Sequence, residues 1–283
     1  MKKAGEMYTN LFKLVKLFIA KTIVKSSAGQ SFMYNRLPRA INPSGHPFDI
    51  ENGTETSGFV PFYLLNSDYS ARSISRAEVY PYFGCQPNCL LTAINRIPDV
   101  SRFVFYDFGC GMGRALLVAS KFPFRKVVGI EISKLLCGIA TRNIEATSTS
   151  RTSTCQTTVI NSDILNFKIE EQSAVIFMYN PFGANIMKQI IQNLDEKIRR
   201  GLDVIIIYEN PVHYYLFDES KYFLRCFGAQ ITCSMDEIEH STNSDDAVAM
   251  WRAAHMKEPT CDQDFHIETV EAGWRVEIVL STS

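Results

Sequence analysis

No Cys-x-x-Cys pair occurs in these 283 residues, although the chain carries eight cysteines, at 85, 89, 110, 137, 155, 226, 233 and 261. Scattered in this way they exclude a zinc ribbon or a disulfide framework and fit the reduced thiols of a cytoplasmic protein. The five histidines do not stand near one another or near the cysteines at ligand spacing, so no metal site is expected. An excess of charge of one sign is missing too: 29 basic residues face 30 acidic ones, for a formal net charge of −1. With no bulk positive charge a nucleic-acid partner is not expected, since binding would need a local basic patch. Long apolar runs are also missing. Between residues 9 and 25 the lysines at 13, 16 and 21 leave no uncharged apolar run longer than Leu17–Ala20, too short for a membrane span or a secretory leader.

What the chain does have is one dense stretch. Phe103–Tyr106 is aromatic and β-branched, as a buried strand requires. Asp107 follows, then Gly109, Gly111 and Gly113 at every second position, and Ala115–Ser120 reads as the first turns of a helix. Strand, glycine turn and helix make a cradle in which main chain approaches a ligand closely, because no Cβ intervenes. The dinucleotide fingerprint G-x-G-x-x-G needs its third glycine at position 114, which is Arg114. A Walker A loop is excluded because no Gly-Lys-Ser/Thr follows.

Read as D-x-G-x-G-x-G, the residues Asp107, Gly109, Gly111 and Gly113 resemble motif I of the class I S-adenosylmethionine-dependent methyltransferases. The resemblance extends over roughly residues 78–283 and implies S-adenosylmethionine as cofactor, with Asp107, Gly109 and Gly111 at its methionyl end. A second strand, Arg125–Glu131, ends in an acid 24 residues past Asp107. An acid in that place accepts hydrogen bonds from ribose hydroxyls in nucleotide-binding βαβ units, and the alternative is an acid capping the next helix, with Ser133 as a competing cap. Thr158–Asp163 resembles the third-strand segment of the same superfamily. Asp163 is then expected on the adenine amino group and Ile164 against the ring; the alternative is an Asx turn.

A fourth strand, Ala174–Tyr179, ends in Asn180-Pro181-Phe182-Gly183. This resembles motif IV of methyltransferases acting on planar nitrogen, although it has one proline and closes with glycine. It puts Asn180 beside the transferable methyl, unless Asn180 or Gly183 merely caps a helix. The strand Asp203–Tyr208 leads into a second Asn-Pro pair, Asn210-Pro211, and His213 follows as a candidate general base or as an inert helix-start residue. Upstream, Pro87 opens a helix with Leu90, Leu91, Ile94 and Ile97 on one face, which makes Tyr82 and Gln86 candidate lining residues.

The ends of the chain are less regular. Residues 1–25 hold six lysines against the single acid Glu6, and at helical spacing an apolar face forms opposite the lysines of 9–25. Such a helix can lie weakly on a membrane surface or pack on the following domain. Residues 26–70 lose periodicity and are expected to be irregular. Past the strand Tyr222–Cys233, residues 235–272 carry ten acids against two bases and read as an acidic insertion. A helix is expected there at Asp246–Lys257 and a strand at Phe265–Val270, before a terminal strand at Trp274–Leu280.

These elements predict an α/β protein: a Rossmann-like, doubly wound, mostly parallel sheet of the seven-stranded methyltransferase type over residues 78–283, preceded by a helical and irregular extension over 1–77. The expected activity is methyl transfer to an amine or hydroxyl of a small molecule or protein. Two alternatives are a catalytically silent S-adenosylmethionine-binding scaffold and a nicotinamide-dependent Rossmann oxidoreductase, the latter opposed by Arg114.

Overall fold

Pro47 in the first turn and Gly53 in the left-handed conformation just past the last delimit helix α1 (Pro47–Asn52). Phe48 N–H donates to Nδ1 of His46 at 3.1 Å, which caps the helix start. The structure, a computed structural model, describes residues 45–60, 78, 80–148, 155–238, 244–261 and 264–280. The amphipathic stretch 9–25 therefore lies outside the described residues, and α1 is the helical part of a span expected to be irregular. A short antiparallel pair, β1 (Phe59–Val60) and β2 (Tyr82–Phe83), precedes helix α2 (Pro87–Ile94), which opens on Pro87 as expected.

The main sheet is built from β3 (Val104–Phe108), β4 (Lys126–Glu131), β5 (Thr157–Asn161), β6 (Ser173–Tyr179), β7 (Asp203–Glu209), β8 (Phe223–Thr232) and β9 (Asp245–Ala253). Its order is β5-β4-β3-β6-β7-β9-β8. The pairings from β5 through β7 are parallel, and β9 runs antiparallel to both of its neighbours. This is the seven-stranded, Rossmann-like, mostly parallel sheet expected from the sequence. Helices α3 (Arg114–Ala119), α4 (Lys134–Ser148) and α5 (Ala184–Arg199) make the crossovers. Between layers, Phe105, Phe177, Tyr208 and Trp251 are fully buried. A side chain of this size contributes about 1.5–3 kcal/mol by leaving water, so the apolar strands define the core.

Two expectations fail in the C-terminal part. Residues 246–257 do not form a helix: 245–253 are β9, slotted between β7 and β8, with Ala247–Trp251 almost wholly buried. Ala, Met, Arg and Lys are good helix formers, but a short apolar run suits a buried strand equally well, and two open strand edges outweigh a weak propensity. Trp251 completes the fit, stacking on Phe217 at 5.1 Å and donating from Nε1 to Asp218 Oδ1 at 2.9 Å. The acidic insertion is thus in part a strand of the sheet.

The terminal strand, expected within the seven-stranded domain, lies outside that sheet. Strand β10 (Phe265–Val270) forms as expected and pairs with β11 (Arg275–Leu280) in a separate antiparallel hairpin. Val276 and Ile278 are buried whereas Trp274 and Leu280 are exposed, so only half of the expected apolar face is covered. All eight cysteines are free thiols. Among the described residues no helix is long and apolar enough to cross a membrane.

Candidate active site

Gly109, Gly111 and Gly113 all adopt positive φ, at 86°, 52° and 89°, a region closed to most side chains. The turn they make swings over the end of β4: the amides of Gly109 and Cys110 both donate to Ile130 O, at 2.9 and 3.1 Å. Each glycine also admits a different neighbour. A Cβ on Gly109 would stand 2.9 Å from Cβ of Pro181, on Gly111 2.1 Å from the ring of Tyr82, and on Gly113 3.2 Å from Cβ of Ala140. Gly109 therefore faces the motif IV edge, Gly111 accepts an aromatic lid, and Gly113 lets α3 pack on α4.

Glu131 ties the turn to the second strand. Its Oε2 accepts the Gly111 amide at 3.0 Å and its Oε1 accepts the Ser133 amide at 2.8 Å. Ser133, the competing cap, takes the helix start: its Oγ accepts from the Leu136 amide at 3.4 Å at the beginning of α4.

A cavity of about 330 Å³ opens at the carboxyl ends of β3, β4, β6 and β7. Gly109, Glu131, Asp163, Ile164 and Asn180 all line it, as does Tyr82. This is the crevice in which open α/β sheets hold their ligands. Asp163 also forms the Asx turn weighed against its ligand role, accepting from the Leu165 amide at 3.0 Å. Asn180 does not cap α5; Gly183 occupies that position.

The remaining expected residues stand back from the cavity walls. Gly111 and Gly113 support the turn rather than line it. Asp107 is 3% exposed, and burial together with the neighbouring Glu131 charge pushes its carboxyl well above the usual range, which favours the neutral form. Gln86 is buried among Glu209, Cys89 and Cys233. His213 is half-buried, with Nε2 3.5 Å from Oη of Tyr80, which does line the cavity. Burial holds its pKa below the ordinary histidine value despite the opposing charge of Glu78, so the imidazole is neutral at pH 7.

Two groups of residues escaped the sequence reading. Arg114, where the dinucleotide fingerprint has glycine, is 5% exposed and reaches the segment after α1. Its Nε donates to Thr56 Oγ1 at 2.9 Å, Nη1 to Cys85 O at 3.1 Å and Nη2 to Ser57 Oγ at 2.5 Å. Asp49 gathers the same segment, accepting from the hydroxyls of Thr54, Thr56 and Ser57 and from the Thr56 amide. Thr56 O in turn accepts from Tyr82 Oη at 2.6 Å, which fixes the ring over Gly111. The second group comes from the hairpin, whose Glu271, Trp274 and Arg275 join Asn210 in the cavity wall. Among the described residues, the non-glycine positions with positive φ are Asn180 (36°), Asn210 (45°) and Glu271 (50°), and all three line this one cavity. Conformations that cost of order 1–3 kcal/mol each collect at functional sites. The repeated Asn-Pro pair, 180–181 and 210–211, was the available signal for Asn210; nothing local marked the hairpin.

No protein-family model matches the chain, and no curated protein matches it. Many solved structures do, at low identity. The 23S rRNA methyltransferase ErmE is 14% identical, over 60% of this chain and 67% of its own, with a TM-score of 0.42. A ribosomal protein L11 methylase of Lactobacillus delbrueckii subsp. bulgaricus is 16% identical, over 59% and 79%, with a TM-score of 0.42. The N-methyltransferase NodS of Bradyrhizobium japonicum, in complex with S-adenosyl-L-homocysteine, is 13% identical, over 54% and 79%, with a TM-score of 0.38. At these values the likeness does not bear on the acceptor, and the bulk-charge argument against a nucleic-acid partner gains nothing from it.

Proposed function

We propose that this chain is an S-adenosylmethionine-dependent methyltransferase that acts on an amine acceptor. One observation carries the reading: side chains or backbone from four successive strand ends, Gly109, Glu131, Asp163 and Asn180, converge on one cavity. The residues fit the cofactor. Glu131 would hold the ribose diol, Asp163 the adenine amino group with Ile164 against the ring, and the turn at Gly109 the methionyl end next to Asn180. Asp107 is buried at the end of β3, and burial together with the Glu131 charge pushes its carboxyl well above the usual range. When bound, S-adenosylmethionine supplies an electrophilic methyl group on a sulfonium.

The protein's own contribution is placement. Asn180 is fixed at positive φ, and its Oδ1 accepts from Tyr208 Oη at 3.1 Å, which sets the orientation of the amide beside the acceptor. Pro181 stiffens the same edge and lies against Gly109. Holding donor and acceptor in line and away from water can supply about 7–11 kcal/mol of a barrier. His213, neutral and joined to the cavity through Tyr80, is placed to take a proton.

Calorimetry with S-adenosylmethionine and S-adenosyl-L-homocysteine, followed by transfer of a labelled methyl group into protein and metabolite extracts, tests the reading. Saturable binding of both compounds with transfer is expected. Binding without any transfer would mean a silent scaffold, and no heat with either compound would end the proposal.

A further inference from the structure

Trp274 is 67% exposed, an unusual setting for the largest apolar side chain, yet it lines the cavity. It sits where the Glu271–Gly273 turn runs into β11, and Asn210 holds it there from the main sheet. Asn210 Nδ2 donates to Trp274 O at 3.0 Å, and Asn210 Oδ1 accepts from the Val276 amide at 3.2 Å. Asn210, at φ 45°, thus grips the backbone on either side of Arg275 and ties the carbonyl of Trp274 to the end of β7. Opposite, Tyr80 is anchored by its amide to Pro181 O at 3.3 Å and meets Trp274 edge to face, with ring centroids 6.0 Å apart and planes at 60°. The two rings form an aromatic corner at the mouth of the cavity.

Charge decides what such a corner takes. The charged residues of the wall are Glu131, Asp163, Glu271 and Arg275. Arg275 is already engaged: its Nη2 pairs with Asp245 and its Nη1 lies 3.5 Å from Glu271. Among the described residues the wall thus holds three acids against one base, an excess of negative charge that repels phosphate-bearing and carboxylate ligands and attracts cations. Aromatic faces add to that attraction through their quadrupoles, tryptophan most of all.

We propose that the turn of the C-terminal hairpin is the acceptor-recognition element, and that the acceptor is a cationic amine seated on the Trp274–Tyr80 corner. This rests on reading the cavity as a methyl-transfer site. An ammonium has no lone pair, so the bound group must first lose a proton. One N–H bond breaks and the proton passes through the Tyr80 hydroxyl to Nε2 of His213, leaving a neutral amine and an imidazolium. With S-adenosylmethionine held by Gly109, Glu131 and Asp163, the neutral amine would be the nucleophile for its methyl group, and S-adenosyl-L-homocysteine would be the product that leaves.

Recognition can be tested apart from turnover with choline and its uncharged isostere 3,3-dimethylbutan-1-ol. Trp274 is a built-in reporter against the fully buried Trp251. Choline is expected to change the fluorescence saturably and to bind about tenfold more tightly than the isostere. By calorimetry, Trp274→Ala should lose that preference and Trp274→Phe should keep most of it, with unfolding midpoints and S-adenosyl-L-homocysteine affinity unchanged in both. Equal affinity for the two probes, or choline binding that survives Trp274→Ala, overturns the inference. If S-adenosyl-L-homocysteine binds while the probes are not distinguished, this inference fails and the methyltransferase reading stands. If the probes are distinguished but S-adenosyl-L-homocysteine does not bind, the methyltransferase reading fails and the hairpin remains a cation site without an acceptor role.

Discussion

The Arg114 guanidinium and the Asp49 carboxylate lie 3.9 Å apart, with only 5% and 9% of their side chains exposed. The first residue of α3 is thereby joined to α1. The glycine turn and the described part of the N-terminal extension are one polar unit, with Tyr82 closing it over Gly111. Removing either partner leaves a buried charge without compensation.

Arg114→Ala is accordingly expected to cost about 3–5 kcal/mol of stability in urea unfolding, as for other broken buried pairs. Lysine in its place should recover little, because the site uses the guanidinium fork on Thr56, Ser57 and Cys85 together. Asp49 gives the contribution a pH dependence. Burial alone would raise its pKa, but hydrogen bonds from Ser57 and Thr56, the Arg114 charge and a bond from Thr54 outweigh this and hold it below the ordinary value of 3.8. A lowered folded-state pKa means the stabilisation is fully present above pH 3.8 and fades as pH falls through the folded-state value. Asp49→Asn should flatten that part of the stability profile; an unchanged slope would show that the pair does not matter.

Gly109→Ala places a Cβ at φ 86° and 2.9 Å from Pro181, so both the turn and the motif IV edge must shift. A loss of S-adenosyl-L-homocysteine affinity of more than tenfold is expected by calorimetry. Gly201→Ala is the control: its φ is 102°, yet nothing stands within 4 Å, so stability should fall through backbone strain with affinity untouched. Equal affinities for the two variants would remove Gly109 from the site.

Glu131→Ala removes the acceptor of two loop amides and the expected partner of the ribose. Hydrogen bonds to a charged group contribute about 1.5–3 kcal/mol each, so cofactor affinity should fall on the order of a hundredfold. Glu131→Gln should do nearly as badly, because its amide nitrogen faces one of the backbone donors now held by a carboxylate oxygen. Undiminished binding by either variant in a calorimetric titration argues against the ribose role.

His213 predicts the pH dependence of transfer. Burial lowers its pKa below 6.5, and only the neutral ring accepts a proton, so the rate should rise with pH along a limb centred below 6.5 and then level off. His213→Gln should abolish the limb and reduce the plateau by about 10²–10⁴-fold if the residue is the base. A limb that survives the substitution assigns the proton transfer elsewhere.

The half of the cavity proposed to hold the cofactor was legible in the linear chain because much of it depends on local rules. A buried strand, a turn that only glycine can make and an acid at a strand end are each marked by the few residues that form them. Gly109 and Glu131 were read from such features, and Asp163 and Asn180 from the resemblance of their strand ends to methyltransferase segments. Distance from the motif defeated the rest. Asp49 is 65 residues from Arg114 in the chain, and Trp274 is 64 from Asn210. Neither pair has a signature that composition or period can reveal.

Residues 245–253 show where the boundary falls. Their own sequence allows helix or strand, and a slot between β7 and β8 decides for strand. The amino-acid sequence alone determined the parallel half of the sheet and the glycine turn, because periodicity, propensity and steric freedom are properties of neighbouring residues. Tertiary structure alone decided the seventh strand, the Arg114–Asp49 pair and the aromatic corner, because these depend on which edges, charges and rings packing brings together.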